Sequence, residues 1–188
     1  MRPDILTAKG RCFDFTRPGD CLIDIEEIAH ALAHICRYTG HVREVYWVAQ
    51  HSLLVARLVP LEHARAGLLH DAAEAYIGDV AAPLKMLLPD YKAIERQVEA
   101  VVFSRLGLPD QMPDCVREAD QAIRAVELRD LMPEPLDLSK PFGPGDLPMG
   151  AFRIKPMPPE VARRTFLERY AEVSAAGFLD GLSELRAY

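Results

Sequence analysis

Residues 66–79 read Ala66-Gly67-Leu68-Leu69-His70-Asp71-Ala72-Ala73-Glu74-Ala75-Tyr76-Ile77-Gly78-Asp79. The run holds no proline and has a glycine, Gly78, just before its end. Small and apolar residues dominate it, which predicts one helix from about Leu61 to Tyr76, ending before Gly78. His70, Asp71 and Glu74 interrupt that apolar surface. Adjacent helical positions diverge by about 100°, so His70 and Asp71 can serve one ion only from the shared edge of that arc. Glu74 lies one turn beyond His70 on the same face. Burying a histidine and two carboxylates so close together is costly unless a cation compensates them. Ala66, Gly67 and Ala73 are expected to leave room there for a metal and a substrate.

Helical patterning continues on both sides. Upstream, Asp24 with Glu27 three residues later resembles a capping box. Ile25, Ile28, Ala29, Leu32 and Ile35 follow at helical spacing, with Gly40 as the stop. A second helix is predicted from about Val45 to Val59, before Pro60. Downstream, Pro89-Asp90 opens a fourth that carries Ile94, Val98, Val101, Val102 and Leu106 to Gly107. A fifth follows Pro113 through Val116, Ile123, Val126 and Leu131. Pro158-Pro159 opens a sixth with Val161, Phe166, Leu167 and Tyr170, and a short seventh closes the chain. The first dozen residues and Cys12 to Ile23 have room for one small hairpin. The expectation is an all-α bundle of six to seven helices. It forms a single domain over 1–188, with a core at 24–132, a proline-rich loop at 133–159 and C-terminal helices at 160–188.

Composition agrees with one globular domain: 188 residues, 49% hydrophobic and 27% charged. Lys and Arg total 22 against 28 Asp and Glu, a net charge of −6. With no dense basic run, this argues against a nucleic acid polymer as partner. A small anionic substrate stays open, because one pocket can be positive on a negative protein. No apolar stretch reaches membrane-spanning length, and the first residues lack the hydrophobic core of a signal peptide. Cys12, Cys21, Cys36 and Cys115 form no C-x-x-C pair, which suits free thiols in a reducing cytoplasm. Eight of the fifteen prolines fall between Pro133 and Pro159. That segment cannot hold a long helix and reads as a lid, a subunit contact or a plain surface loop.

His51 shares its helical face with Trp47, Leu54, Val55 and Leu58, so its ring is expected in the core. There it is either a hydrogen-bonded core histidine or a ligand. Asp120, between Val116 and Ile123, is either on a solvated face or a further ligand. Two His and two Asp together suit a borderline divalent ion with open positions. His30 and His34 also stand at i, i+4, but Ala31 follows the first where a zinc protease needs Glu. His41 reads as surface loop, and Cys36 and Cys115 as small core residues. No Walker loop, G-x-G-x-x-G or G-x-S-x-G is present.

The order His51, His70-Asp71, Asp120 resembles the H…HD…D signature of the HD-domain metal-dependent phosphohydrolases. The longer run His70-Asp71-x-x-Glu74-x-x-x-x-Asp79-x-x-x-Pro83-x-Lys85, with Gly78 before the Asp, is similar to the bacterial 5'-deoxynucleotidase subgroup. The flank Ala49-Gln50-His51-Ser52 fits the same group. The likeness covers roughly Asp24 to Met132. It implies an HD-domain helical bundle, often homodimeric, in which His51, His70, Asp71 and Asp120 hold one divalent ion. Co, Mn, Ni, Fe, Zn and Mg all remain open as its identity. It further implies that Glu74 and Asp79 are catalytic and that Arg37 binds the substrate phosphate. Tyr38 stands where the subgroup's sugar-selecting tryptophan is expected, so no choice between ribose and deoxyribose follows. Structural roles compete with these: Glu74 as partner of a ligand histidine, Asp79 as a helix N-cap, Arg37 as a last-turn cation; Lys85 is either a further phosphate contact or a solvated side chain. The implied activity is hydrolysis of a small nucleotide, most directly a (deoxy)nucleoside 5'-monophosphate, by water. The alternatives are a phosphodiesterase, a triphosphate hydrolase or a non-catalytic metal and nucleotide sensor.

Overall fold

A computed structural model describes residues 2–133 and 152–185. The middle of the predicted proline-rich loop, 134–151, therefore lies outside the described residues, as do Met1 and the last three positions.

The chain opens with a two-stranded antiparallel hairpin, β1 (Asp4–Leu6) and β2 (Cys12–Asp14), with Ile5 opposite Phe13. Gly10 supplies the positive φ of 74° that the turn needs. Eight α-helices follow among the described residues. They are α1 (Ile25–Leu32), α2 (Val48–Leu58), α3 (Ala64–Leu69), α4 (Glu74–Ile77), α5 (Ala82–Lys85), α6 (Pro89–Arg105), α7 (Asp114–Leu131) and α8 (Pro159–Leu185). The protein is thus all-α with one small N-terminal hairpin.

Local chemistry explains where boundaries differ from the sequence pattern. Asp24 caps α1 by accepting the Glu26 amide, but Glu27 does not complete the box. Its buried carboxylate instead accepts Thr7 Oγ1 at 2.6 Å and the Lys9 amide at 3.1 Å, fastening the hairpin to α1. Helix α1 stops at Leu32 rather than near Gly40. Beyond it, the Arg37 amide pairs with Tyr46 O and the Val48 amide with Ile35 O, an isolated bridge that holds Cys36 against Trp47. These pairings take backbone groups that a longer α1 would need, and they delay α2 until Val48. Between them Tyr38 and Thr39 sit at φ 55°, a left-handed conformation costly for residues with a side chain.

The stretch from Leu61 to Tyr76 is divided rather than continuous. A 3-10 turn, Leu61–His63, leads into α3, and α4 begins at Glu74. Between them the Ala72 amide bonds Leu69 O and the Glu74 amide bonds Asp71 O, each reaching back three residues. His70 and Asp71 therefore stand on a tightened turn between two short helices.

Helices α2 and α3 form the centre. A Cβ on Gly67 would lie 3.1 Å from Ala56 Cα and 3.1 Å from Val59 Cγ2. Its missing side chain thus serves close helix contact rather than the room for a metal and substrate expected from sequence. Helix α7 packs on α2, and α8 lies against α1, α2 and α3. The sixth and seventh helices of the sequence reading are one helix of 27 residues. Ahead of α8, residues 152–157 have no regular structure but are tied to the bundle. Gln50 Nε2 donates to Lys155 O at 2.8 Å, and Gln50 Oε1 accepts the Met157 amide at 3.1 Å. Trp47 Nε1 donates to Met157 O at 2.9 Å, and Asp130 Oδ2 accepts the Ile154 amide at 2.9 Å. No described helix is long and apolar enough to cross a membrane.

Candidate metal centre

Helix α2 carries His51 into the interior, where the ring is wholly buried. The turn after α3 presents His70 and Asp71, and α7, packed on α2, brings Asp120. His51 Nε2 lies 3.3 Å from His70 Nε2, 3.1 Å from Asp120 Oδ1 and 3.6 Å from Asp71 Oδ2. His70 Nε2 lies 3.2 Å from Asp71 Oδ2. His51, His70 and Asp120, up to 69 positions apart in sequence, thus bring ligand-type atoms together in one group, while Asp71 lies beside the two histidines and outside that group.

The donor set fits a divalent cation. Each imidazole has its other nitrogen engaged: His51 Nδ1 with Glu127 Oε1 at 2.7 Å, and His70 Nδ1 with Gly67 O at 2.8 Å. Both partners are acceptors, so each Nδ1 carries a proton and each Nε2 is left as the ligating lone pair. Atoms sharing one ion through bonds of about 2.1 Å stand roughly 3.0–3.4 Å apart. Three of the spacings here, 3.1 to 3.3 Å, fall in that range, and His51 to Asp71, at 3.6 Å, is longer. Two imidazole nitrogens facing each other with no proton between them repel unless a cation, or a proton in its place, lies between.

Electrostatics describe the same balance. Burial and Arg37 work to lower the His51 pKa, but Glu127 and Asp120 overcome them and push it up to about 9. Burial works to raise Asp71, yet His70, His51 and Arg37 hold it below the ordinary carboxylate range. Asp120 is likewise lowered by His51 against the effect of burial. In the metal-free protein a proton on His51 Nε2 therefore stands where a metal would bind.

Glu127 is a residue that the sequence reading missed. It is completely buried and holds His51, Arg37 Nη2 at 3.0 Å and the Tyr38 hydroxyl, which donates to Oε2 at 2.8 Å. Burial would raise its pKa, but His51, Arg37 and these hydrogen bonds bring it down to about 2. A signal was present: Glu127 follows Asp120 by seven positions and Ile123 by four, an acid inside the apolar stripe of α7.

Arg37 sits in a 3-10 turn, Arg37–Gly40, and not in a last α-helical turn. Its side chain is only 12% exposed, and Nη1 reaches within 3.8 Å of Asp71 Oδ2. Nε is buried without a hydrogen-bond partner. Glu74, at 9% exposure, opens α4, and its Oε2 also has no partner. Burial, then the charges of Asp71 and Asp79, push its pKa well up. It bonds neither histidine; those places belong to Glu127 and Gly67 O. Asp79 follows Gly78, whose φ of 78° turns the chain out of α4. Its pKa is raised by burial first and then by Asp71, against Arg37. Asp79 caps no helix, since α5 starts after Ala81 with no side-chain cap. Lys85 is not solvated: it pairs with Glu95 at 2.5 Å. His30 and His34 stack at 4.3 Å, and the described metal-type cluster does not include them. His41 is exposed, and Cys36 and Cys115 are half-buried free thiols.

Uncharacterized protein YfdR of Escherichia coli (strain K12) is 41% identical over 172 residues, spanning 90% of this chain and 95% of the relative. The chain belongs to the YfdR family. An uncharacterized protein of Rhodobacter capsulatus is 35% identical over 180 residues, spanning 86% of this chain and 90% of the relative. No family model matches the chain. Both relatives match along nearly their whole length, so the site residues between Arg37 and Glu127 lie within the shared region.

Proposed function

We propose that this protein is an HD-domain phosphohydrolase that removes phosphate from a small nucleotide, most directly a (deoxy)nucleoside 5'-monophosphate. The observation that carries the reading is the cluster of His51 Nε2, His70 Nε2 and Asp120, with Asp71 beside both histidines and both imidazoles held at Nδ1. One divalent ion held there would supply positive charge for a phosphoryl oxygen and make water more acidic. The remaining work belongs to side chains. Glu74 is buried with Oε2 unpartnered and its pKa raised by burial, so with a cation in the cluster its carboxylate would be the group to take a proton from attacking water. Asp79 is a second acid beside it, available to the leaving ribose oxygen. Arg37, held by Glu127 and facing Asp71, presents a cation to a phosphate at the cluster. Ser52, the buried serine next to His51, donates its hydroxyl to Val48 O at 3.1 Å, which favours direct attack by water over a serine nucleophile. A cytoplasmic homodimer completes the reading, with no nucleic acid polymer and no membrane as partner.

The test is phosphate release from a panel of ribo- and deoxyribonucleoside monophosphates, triphosphates and diesters. Chelated protein is assayed after adding back Co, Mn, Ni, Fe, Zn or Mg singly, beside Asp71→Ala. Metal-dependent release from monophosphates, lost in the variant, is expected. Cleavage of diesters or triphosphates alone would move the substrate within the family. Bound metal with no turnover would leave a sensor.

A further inference from the structure

A trench of about 900 Å3 opens between α2, residues 152–157 and α8. None of the metal-centre side chains lines it. Its floor is apolar: Leu53 and Ile154 are buried, and Leu54 and Met157 are partly so. Leu58 and Phe152 remain exposed at its edge, at 39% and 36%. The floor is also rigid before any ligand arrives. Gln50, Trp47 and Asp130 fix the backbone of 152–157 through four hydrogen bonds to Ile154, Lys155 and Met157. Such a wall loses little freedom on binding.

The charges around it are uneven. Four cations line the trench against two carboxylates, on a chain whose acids outnumber its bases by 28 to 22. Both carboxylates are already engaged: Glu172 with Arg169 at 3.1 Å, and Glu168 with Arg164 at 3.8 Å. Arg153 is paired with Asp130 at 2.8 Å. Arg57 and Lys155 have no ion-pair partner among the described residues. Two uncommitted cations beside a preformed apolar floor, on a protein of net negative charge, select for one kind of molecule. We propose that the trench binds a small organic anion whose flat apolar body rests on Leu54, Leu58 and Phe152 and whose anionic group meets Arg57 and Lys155. The volume lies in the range of small-molecule sites. Arg57 presents a fork of donors and Lys155 a point charge, a pair suited to a phosphate, sulfonate or carboxylate.

The probe is 1-anilinonaphthalene-8-sulfonate, an aromatic anion whose fluorescence rises on an apolar surface. It is titrated into the intact, metal-loaded protein. The double variant R57E/K155E is expected to bind it about tenfold or more weakly, the loss of about one to two charge-assisted contacts. Its metal content and melting temperature are expected to match the parent. If charge reversal lowers the melting temperature, R57Q/K155Q provides the same comparison. K92E/R96E makes an equal charge change beside the exposed Leu87, Leu88 and Ile94, and it is expected to bind the probe as the parent does. The proposal is overturned if R57E/K155E or its neutral counterpart binds unchanged, or if K92E/R96E weakens binding as much. It is equally overturned if R57E/K155E turns a dimeric parent into a monomer, since the trench would then be covered by a second copy.

Discussion

His51 Nδ1 lies 2.7 Å from Glu127 Oε1, and neither side chain has any exposed surface. The same carboxylate holds Arg37 and Tyr38 through its other oxygen. One acid on α7 therefore orients a histidine on α2 and anchors the turn after α1. Partners of this kind typically contribute 10–100-fold to metal affinity. Glu127→Gln is expected to weaken metal binding by about that factor while keeping the fold, as read by competition with a chromophoric chelator. Glu127→Ala leaves Arg37 buried without its main counter-charge and should cost about 3–5 kcal/mol in urea unfolding. An unchanged metal affinity in both variants would remove Glu127 from the site.

The pH dependence of the metal-free protein follows from His51. Its folded pKa is raised to about 9 from 6.5. The stability this contributes is present in full below 6.5 and is lost as pH rises through 9. Chelated protein should accordingly melt at a lower temperature at pH 9 than at pH 6.5. Metal must displace that proton, so affinity should increase with pH over the same window. Calorimetry in buffers of different ionisation enthalpy should show about one proton released per ion bound. Absence of proton release at pH 7.5 would contradict the raised pKa.

Glu74 has the opposite relation to stability. Its folded pKa is raised by burial, Asp71 and Asp79, so the folded state keeps a proton that the unfolded chain has lost. The resulting cost grows as pH rises above 4.5. Glu74→Gln removes this cost and should stabilise the metal-free protein, by about 1 kcal/mol near neutrality. The gain over the parent should shrink toward pH 4.5. Phosphate release should fall by about 10²-fold or more if Glu74 handles the proton of the attacking water. Full activity in Glu74→Gln would assign that role elsewhere.

Helical spacing and proline positions located most of the bundle because those signals are local. Asp24 and Pro89 mark starts that the structure keeps, and Gly107 lies just past the end of α6. The division of the Leu61–Tyr76 stretch was not legible, because Ala72 and Ala73 favour helix and only tertiary placement of His70 and Asp71 tightens the turn. The early end of α1 depends on pairing with Tyr46 and Val48, partners set by the fold. The four expected ligands were readable as residue types in a pattern. Glu127, the partner of His51, left only its place in the apolar stripe of α7 as a signal, and its pairing with Arg37 is set by the fold.

Gly67 links the packing of the core to the geometry of the candidate metal centre. A methyl group there would press on Ala56 Cα, which is backbone and cannot swing aside, and on Val59 Cγ2. Gly67→Ala should therefore force α3 away from α2 and cost about 1–3 kcal/mol despite the better helix propensity of alanine. The carbonyl of Gly67 also accepts His70 Nδ1, so the displacement reaches His70 Nε2 directly. Metal affinity should fall together with melting temperature. Ala66→Gly is the comparison: it lowers helix propensity by about 1 kcal/mol at a neighbouring buried position without adding an atom. If stability fell equally in both variants but only Gly67→Ala lost metal affinity, the effect would be positional. Equal metal binding in the two would mean that the turn carrying His70 is decoupled from the α2–α3 contact.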